Sequence, residues 1–367
     1  MMLRRNLLII TMMLFAFSFG FGIMAPIDAD ASTTKVIKPS GKTDSTDAKR
    51  INKALKSYQT VKLKAGKKYY LASPLHLRNN RTLIATGATI VAKYDTVTSD
   101  LKKADYMNLQ TVTIDGGTWK SKSKTGYTGT SFAFVHSSGI RLMNMNIKCA
   151  NYNGHAVELV ACRDVLMDNV KITPCGKAGA SQEVMVQIDI ATQATYPRFN
   201  KRSLVNGATC HDIEIRNCSI TGNRAIASGY DYKGEGYPDN VHTGVVIKDC
   251  KLHGINGEGV NLTNVKDASV RNNEIQSDYD NLGSDKSTGL HYLMIAAAQD
   301  TSFEAADNTV KGYKYAIRAY SSGEYNISRV VLLTNKCYCK RGADYAIQAA
   351  KKGIDELVTR GNETFDW

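Results

Sequence analysis

Two strand-like runs of the chain each carry an acidic residue that could take part in proton transfer. Glu158 lies in AVELV and Asp189 lies in VMVQIDI, while His155 directly precedes the first run and Glu183 the second. Hydrolysis of a glycosidic bond commonly uses one carboxyl group to protonate the leaving oxygen and a second to activate water. We predict that Glu158 and Asp189 share these roles, with Glu183 as a further candidate and His155 positioning or tuning an acid. The alternative is that the carboxylates belong to a solvated strand face or form hydrogen bonds with their neighbours, and that His155 is a hydrogen-bonded turn residue.

The elements that must position these residues repeat along the chain. A phrase of alternating apolar residues followed by Asn or Asp recurs as IRLMNMNI, VLMDNVKI, IEIRNCSI, VVIKDCKL and ASVRNNEI. Its polar marker falls at Asn144, Asn169, Asn217, Asp249 and Asn272. Looser copies place the marker at Gly87, Gly116, Asp307, Asn335 and Asn362. Such a repeat indicates stacked structural units, and Asn suits a tight bend because it tolerates left-handed backbone and can bond to the next Asn along the stack.

The period within each repeat decides between helices and strands. A second strand-like run precedes each phrase, and no segment of helix length separates the two. Apolar residues at every second position, with many β-branched side chains, predict strands. Leucine-rich repeats are the rival interpretation, but their fixed leucine consensus is missing. We therefore predict an all-β fold, a right-handed parallel β-helix in which each turn of the solenoid adds two or three short strands.

Alignment of the strands by their markers predicts which side chains share an outer face. One inward column contains Val157, Val186, Ile226, Val260 and Ile317. The predicted saccharide-binding strip outside it contains Glu158, Gln187, Asp189, Asn261, Arg318 and Tyr320. At about 4.8 Å between strands and 3.3 Å per residue, the backbones of Glu158 and Asp189 lie about 8 Å apart, which suits an inverting carboxyl pair. Arg318 could clamp a uronate carboxylate, and the alternative is a salt bridge with an acidic neighbour.

Two long loops follow strand-like runs on successive turns, at roughly 191–209 and 229–242. Loops of more than about 12 residues in a compact fold are more often functional than ornamental. We expect these two loops to wall a groove beside Gln187 and Asp189. The loops contain aromatic side chains whose rings could stack on sugars, namely Tyr196, Phe199, Tyr230, Tyr232 and Tyr237.

The first 31 residues predict export. Arg4 and Arg5 precede an apolar stretch at 7–24, and small residues at 29–31 provide a cleavage site. We predict a signal peptide at 1–31, a secreted extracellular protein and no stable membrane insertion after cleavage. The alternative is an uncleaved membrane anchor, since the apolar stretch is nearly long enough to span a bilayer.

The mature chain is predicted to form one domain. Residues 32–43 are interpreted as a flexible leader and residues 44–367 as a single β-helix domain. Within this domain, residues 44–58 place apolar side chains at helical spacing after Ser, Thr and Asp capping candidates. We expect this short amphipathic helix to cap the open end of the apolar stack.

The chain is basic, with a net charge of +13. The leader carries two basic and two acidic residues, so the charge remains after cleavage. An exported basic protein attracts polyanions such as acidic polysaccharides, although solubility alone is an equally good explanation. Nucleic acid is not an expected partner, because no binding motif for it is recognised.

Eight cysteines raise the possibility of disulfides in an exported protein. Cys218 and Cys250 each directly follow a marker residue, so they occupy one column on successive turns. A disulfide and a stacked pair of buried thiols explain this spacing equally well. No pairs with zinc-site spacing occur, and we assign no metal to the cysteines.

Several phrases resemble a known superfamily. The order of amphipathic helix, strand with an AG turn, GGTW at 116–119 and Asn-marked turns is similar to pectin-lyase-like right-handed β-helix proteins. The phrases GHAVEL at 154–159, EVMVQIDI at 183–190 and RAIASGYDYKGEGYPDNVHTGVVI at 224–247 resemble exported Gram-positive β-helix proteins distantly related to polygalacturonases. This resemblance implies polysaccharide hydrolases, lyases and epimerases, together with non-catalytic relatives.

Three functional hypotheses follow. The first is a secreted glycoside hydrolase that acts on an acidic or pectin-like polysaccharide without a cofactor, with Glu158 and Asp189 as acid and base. The second is a lyase or epimerase, in which Asp189 and Glu183 hold Ca²⁺ against a uronate while a basic residue abstracts the C5 proton. The third is a binding or adhesive solenoid without turnover.

Overall fold

The computed structural model describes residues 34–41, 46–92, 95–99, 101–121, 131–150, 154–174, 184–349 and 352–367. Thr33–Trp367 form one compact unit. The predicted signal peptide at 1–31 and the candidate Glu183 lie outside the described residues, so both stay predictions.

Three long parallel sheets of 12, 11 and 10 strands form the described part of the chain. Successive turns add one strand to each sheet in the same order. Sheet 1 contains Thr34–Ile37, Thr60–Leu63, Arg81–Ile84, Leu109–Asp115, Ser137–Met143, Arg163–Asp168, His211–Arg216, His242–Lys248, Val265–Arg271, Ser302–Ala306, Ile327–Leu333 and Ile354–Arg360. Sheet 2 contains Lys68–Leu71, Thr89–Ala92, Thr118–Ser121, Asn146–Ala150, Lys171–Pro174, Ser219–Gly222, Lys251–Gly254, Glu274–Ser277, Thr309–Gly312, Lys336–Cys339 and Glu363–Asp366. Sheet 3 contains Leu75–His76, Val97–Thr98, Phe132–Val135, Val157–Val160, Val184–Asp189, Arg224–Ser228, Val260–Thr263, Thr288–Met294, Tyr315–Ser321 and Ile347–Ala349. The predicted parallel β-helix is confirmed.

The marker residues make the bend between sheets 1 and 2. Left-handed backbone occurs at Asn144, Asn169 and Asn217, each with φ of 54°. The Asn169 side-chain amide donates to the Asn144 carbonyl oxygen at 2.9 Å, so the predicted bond along the stack forms. Asn is favoured here because it adopts left-handed backbone at low cost. In the last turns the prediction was off by one residue, since the left-handed positions are Thr334 and Gly361.

Asn335 and Asn362 instead belong to a ladder of amides one position further on. Asn335 donates to the side-chain oxygen of Asn362, and Asn308 donates to that of Asn335, both at 2.9 Å. In earlier turns this column holds Cys218 and Cys250, where the Cys218 N–H lies 3.4 Å from the Cys250 sulfur. All six cysteines whose side chains are described are buried free thiols. The stacked-thiol alternative therefore applies to this pair.

The N-terminal elements differ in part from the prediction. Thr34–Ile37, assigned to a flexible leader, is a strand that pairs in parallel with Thr60–Leu63. The sequence signal was weak because the strand has only four residues and three of them are exposed. The helix Thr46–Ser57 buries Ile51 and Leu55 against the first strands of the solenoid, as its apolar spacing predicted. Its role as a cap stays a prediction.

Short 3₁₀ turns complete the described elements, and their bounds are Arg202–Leu204, Asp285–Ser287 and Ala343–Tyr345. Within the described residues, none of the helices has the length and hydrophobicity that a membrane span needs.

Candidate functional site

The outer face of sheet 3 carries the predicted polar strip. The strand register places Val157 beside Val186, and the inward column predicted from the sequence is buried throughout. The outward column that runs alongside contains Ala133, Glu158, Gln187, Ala227, Asn261, His291, Arg318 and Gln348. The predicted residues therefore share one face, while their functional roles stay predictions. The sequence prediction missed the strand Thr288–Met294 and with it His291.

The loop at 191–209 does not wall an open groove, contrary to the prediction. Tyr196, Phe199 and Leu204 pack onto the outer face of sheet 3 in a second apolar cluster. On the sheet side this cluster contains Ala133, Val135, Val160 and Ala161. These outward residues are apolar, so the loop covers them to keep them from water. Tyr196 and Phe199 are only 3% and 7% exposed and are closed to a sugar ring in this state.

Polar contacts fasten this loop to the solenoid. The buried His136 ring donates from Nε2 to the carbonyl oxygen of Leu204 at 2.8 Å. Arg198 pairs with Asp95, which lies near the start of the sheet 3 face. Burial lowers the pKa of His136, which keeps the ring neutral. The loop is thus held by specific bonds as well as by its apolar side chains.

The second loop, at 229–242, lies across the first. The Glu235 carboxylate accepts the backbone N–H groups of Gln193 and Ala194 at 2.7 and 2.8 Å. The Tyr237 hydroxyl donates to the Val205 carbonyl oxygen at 3.0 Å. Tyr237 therefore anchors loop to loop and does not offer its ring to a ligand.

Glu158 and Asp189 lie beneath this double cover, in what we call the covered section. Each is 5% exposed. The Gln187 side-chain amide donates to Asp189 Oδ1 at 2.7 Å. Burial and the neighbouring charge of Glu158 raise the pKa of Asp189 well above the usual carboxyl range. The two carboxyls thus lie close together on one face, but they are shut away from solvent.

Gly229 closes the covered section on the side of the next turn. A Cβ at this position would lie 2.1 Å from Asp189 Oδ1 and 3.2 Å from the Gln187 amide nitrogen. Its carbonyl oxygen accepts from His242 Nε2 at 2.8 Å, and His242 Nδ1 accepts the Cys210 N–H at 2.9 Å. Burial lowers the pKa of His242 to about 4, so the ring is a neutral structural link.

His155 forms a hydrogen bond to the next turn, and its catalytic role stays a prediction. Its ring Nδ1 donates to the carbonyl oxygen of Val184 on the next turn at 2.8 Å, and the side chain is half-buried. The ring thus ties two turns together at the beginning of their sheet 3 strands.

A different set of polar residues occupies the middle of the sheet 3 face. The Glu258 carboxylate pairs with Arg224 at 2.8 Å and accepts the Asn261 amide at 2.9 Å. Burial acts to raise the pKa of Glu258, but the charge of Arg224 and the contact with His291 outweigh it and lower the pKa to about 2. Asn261 also accepts the Thr263 hydroxyl, so its amide is used within the protein and is 8% exposed.

The accessible section of sheet 3 follows and consists of Tyr315, Arg318, Tyr320 and Gln348, all half-buried. The Arg318 guanidinium lies 4.0 Å from the centre of the Tyr320 ring. Tyr320 also stacks on the His291 ring, with centres 5.6 Å apart and planes 16° apart. Burial raises the pKa of Tyr320.

Arg318 is already paired, which is the alternative considered for it. Its guanidinium bonds to Asp285, and its Nε donates to Gln348 Oε1 at 2.6 Å. Lys314 pairs with the same Asp285 carboxylate at 2.7 Å. The section thus combines two cations with one carboxylate and retains positive charge.

Two tyrosines of the loop at 229–242 stay open in part to solvent. Tyr230 and Tyr232 meet edge to face, with ring centres 6.4 Å apart, and Tyr232 is 52% exposed. Both residues are thus more exposed than Tyr196 and Phe199 of the first loop.

The described residues include no cluster of three or more His, Cys, Asp or Glu side chains arranged to hold a metal ion. The calcium ligands considered for a lyase were Asp189 and Glu183. Since Glu183 lies outside the described residues, this hypothesis stays untested.

The three stacked parallel sheets define the right-handed parallel β-helix fold that the sequence resemblance implied. Among solved structures, the chain is similar to PfbA, a surface adhesin of Streptococcus pneumoniae, with a TM-score of 0.56 and 15% identity over 90% of this chain and 92% of the adhesin. It is equally similar to the endo-xylogalacturonan hydrolase of Aspergillus tubingensis, with a TM-score of 0.56 and 13% identity over 91% of this chain and 93% of that enzyme. No family model and no curated protein sequence matches the chain. At these identities the likeness shows the fold alone.

Proposed function

We propose that this protein is a secreted solenoid that binds an acidic polysaccharide along the accessible section of sheet 3. The observation that carries the proposal is the contrast in access along one face. The covered section hides both candidate catalytic carboxyls, whereas Lys314, Arg318 and Tyr320 remain half-buried.

The chemistry of the accessible section suits a uronate-containing chain. Tyrosine rings present flat apolar faces together with a hydroxyl group, a combination that is enriched in binding surfaces. Arg318 and Lys314 together outweigh the one Asp285 carboxylate that they share, so the section attracts a ligand carboxylate. Sugars and carboxylates on one polymer would thus meet both kinds of group. The use of this fold by a surface adhesin and by a hydrolase of xylogalacturonan is compatible with the proposal.

Binding is tested by titrating the mature protein with polygalacturonate, alginate and a neutral glucan while recording the heat of binding. We expect the acidic polymers to bind and Tyr320→Ala to weaken binding by about tenfold, the equivalent of about 1.4 kcal/mol. Tyr325→Ala is the matched control, because Tyr325 is 40% exposed and lies outside the accessible section. Equal affinity of both variants and the wild type would overturn the proposal.

Hydrolysis by Glu158 and Asp189 is the second candidate function. It is favoured by the position of Glu158 and Asp189 on one strand face and by the raised pKa of Asp189, which suits a general acid. Substrate would reach them only if the loop at 191–209 moved away. Phe199→Ala removes an apolar contact of that loop and should then increase turnover.

Turnover is measured as reducing ends and as ultraviolet absorbance, with and without chelator. Loss of reducing-end release in Glu158→Gln and Asp189→Asn, with binding retained, would establish hydrolysis and replace the binding-only proposal. An absorbing product that depends on calcium would indicate a lyase instead.

A further inference from the structure

The positive charge of this protein is concentrated at one end. Residues 32–94 contain 14 basic and two acidic residues, whereas residues 95–367 contain 31 basic and 30 acidic residues. Solubility alone would be served as well by charge spread over the whole solenoid. The N-terminal turns therefore carry nearly the whole net charge of the mature chain.

The basic side chains of this end lie on the surface because the apolar residues between them are buried. The helix Thr46–Ser57 packs Ile51 and Leu55 inward, which leaves its basic residues outside. In the strand Thr60–Leu63, Lys62 points outward between buried neighbours. The exposed basic side chains of this end are Lys35, Lys38, Lys49, Arg50, Lys53, Lys56, Lys62, Lys64, Lys67 and Lys68.

The described acidic residue of this end does not neutralise the surface. Asp47 is fully buried, and its two carboxylate oxygens accept the backbone N–H groups of Ser40 and Tyr70 at 2.7 and 3.0 Å. It therefore acts as a structural link between the helix and the strands around it. The exposed cations face solvent with no exposed carboxylate among the described residues 34–92.

We propose that this N-terminal basic end is a second binding surface, which holds a linear acidic polysaccharide by charge density. Nine of its ten exposed cations are lysines, which act as point charges and do not read ligand geometry as paired arginines do. Among the described residues here, Val36 is the one exposed large apolar side chain, so the surface offers little for insertion into a bilayer.

The two surfaces are well separated. Eight strand steps along sheet 3 lead from Leu75–His76 to Tyr315–Ser321, which is about 38 Å at about 4.8 Å per step. A long polymer could contact both, and the basic end could hold an anionic matrix while the accessible section stays free. The basic end does not require the sheet 3 site to be functional.

The test compares two variants with the same net charge, in which three lysines are replaced by glutamate at one end of the chain or at the other. Lys49→Glu, Lys53→Glu and Lys56→Glu are combined in one variant, since all three are exposed on the helix. The control combines Lys336→Glu, Lys340→Glu and Lys352→Glu, which are exposed near the C-terminus. Polygalacturonate affinity is measured at low salt and at physiological salt, and thermal unfolding checks that both variants fold.

We expect the helix variant to lose affinity at least tenfold at low salt and to show a weaker salt dependence, because opposite charges attract over about a Debye length. The control should stay within about threefold of the wild type. Equal losses in both variants would show that net charge alone matters and would overturn the inference. Stronger binding to anionic vesicles than to the polymer would also overturn it, in favour of a membrane surface.

Failure of the sheet 3 proposal gives a different result. Tyr320→Ala would then leave polygalacturonate binding unchanged while the helix variant still lost it. If the basic end is not a binding surface, the helix variant behaves like the control and only Tyr320→Ala weakens binding.

Discussion

Asp189 and Glu258 are buried carboxyls on the same face of one sheet, yet their pKa values shift in opposite directions. Asp189 has only an amide and another carboxylate beside it, so burial and repulsion raise its pKa. Glu258 is equally hidden, but Arg224 and His291 hold it ionised with a pKa of about 2. Two equally buried carboxyls can therefore differ in their pKa, and the difference here comes from a cation beside one of them.

The difference follows from what covers each region. On the turns around Asp189, neighbouring outward positions such as Val135 and Val160 are apolar, and the loop at 191–209 closes over them. Around Glu258 the outward positions are polar, and hydrogen bonds to Asn261 and Thr263 take the place of an apolar cover. One section favours the protonated form of a carboxyl under a loop, whereas the other stabilises a negative charge within a polar network.

The largest effect should come from Arg224→Met, which removes the cation but keeps apolar bulk. Glu258, whose side chain is 3% exposed, would be left as a buried charge without its ion pair. We expect a loss of about 3–5 kcal/mol in the free energy of unfolding, measured by urea denaturation at neutral pH. Lys251→Met breaks an ion pair with Glu274 that is more than 60% exposed on both sides and should cost less than about 1 kcal/mol. Similar losses of stability in the two variants would show that the ion pair of the buried Glu258 contributes no more than an exposed one.

A smaller effect is expected from Gly229→Ala in the covered section. The added Cβ would meet the Asp189 carboxyl at 2.1 Å, so Asp189 and Gln187 must both move. Overpacking of this kind costs about 1–3 kcal/mol. Gly283→Ala is the control, because its nearest neighbour is the end of the exposed Asn281 side chain at 3.2 Å. If Gly229→Ala is as stable as the control, the carboxyl is not held tightly under the loop.

Most of the solenoid could be predicted from the sequence because its signals are local. A left-handed bend calls for Asn, Asp or Gly, and a strand that faces the core needs an apolar residue at every second position. These rules placed Glu158, Gln187 and Asp189 on one face with the correct register. The strand Thr288–Met294 was missed because six of its seven residues are buried, which hides the alternation.

The loop cover and the ion pairs of the site could not be predicted from such local patterns. Whether a long loop stands beside a groove or folds over it depends on the outward residues of strands far apart in sequence, such as Val135 and Val160. Ion pairs such as Arg224 with Glu258 join residues 34 positions apart and carry no local pattern. The sequence placed Arg318 on the outer face but did not reveal its partner, Asp285. That residue lies in a segment without a repeat marker, so no local pattern predicted the ion pair.

The smallest effect concerns how stability changes with pH, and it tests the proton on Asp189 directly. Because the folded-state pKa is raised, the folded protein retains a proton that the unfolded chain releases above a pKa of about 3.9. The stability from this group is fully present below that value and is lost as pH rises through the folded pKa, at no more than about 1.4 kcal/mol per pH unit. Asp189→Asn keeps an acceptor for Gln187 but cannot titrate, so its stability should change less with pH. Urea denaturation between about pH 4 and about pH 8 measures both slopes, with the exposed Asp344→Asn as the charge-matched control. Should Asp189→Asn retain the wild-type slope, Asp189 is ionised under its cover and the contrast with Glu258 fails.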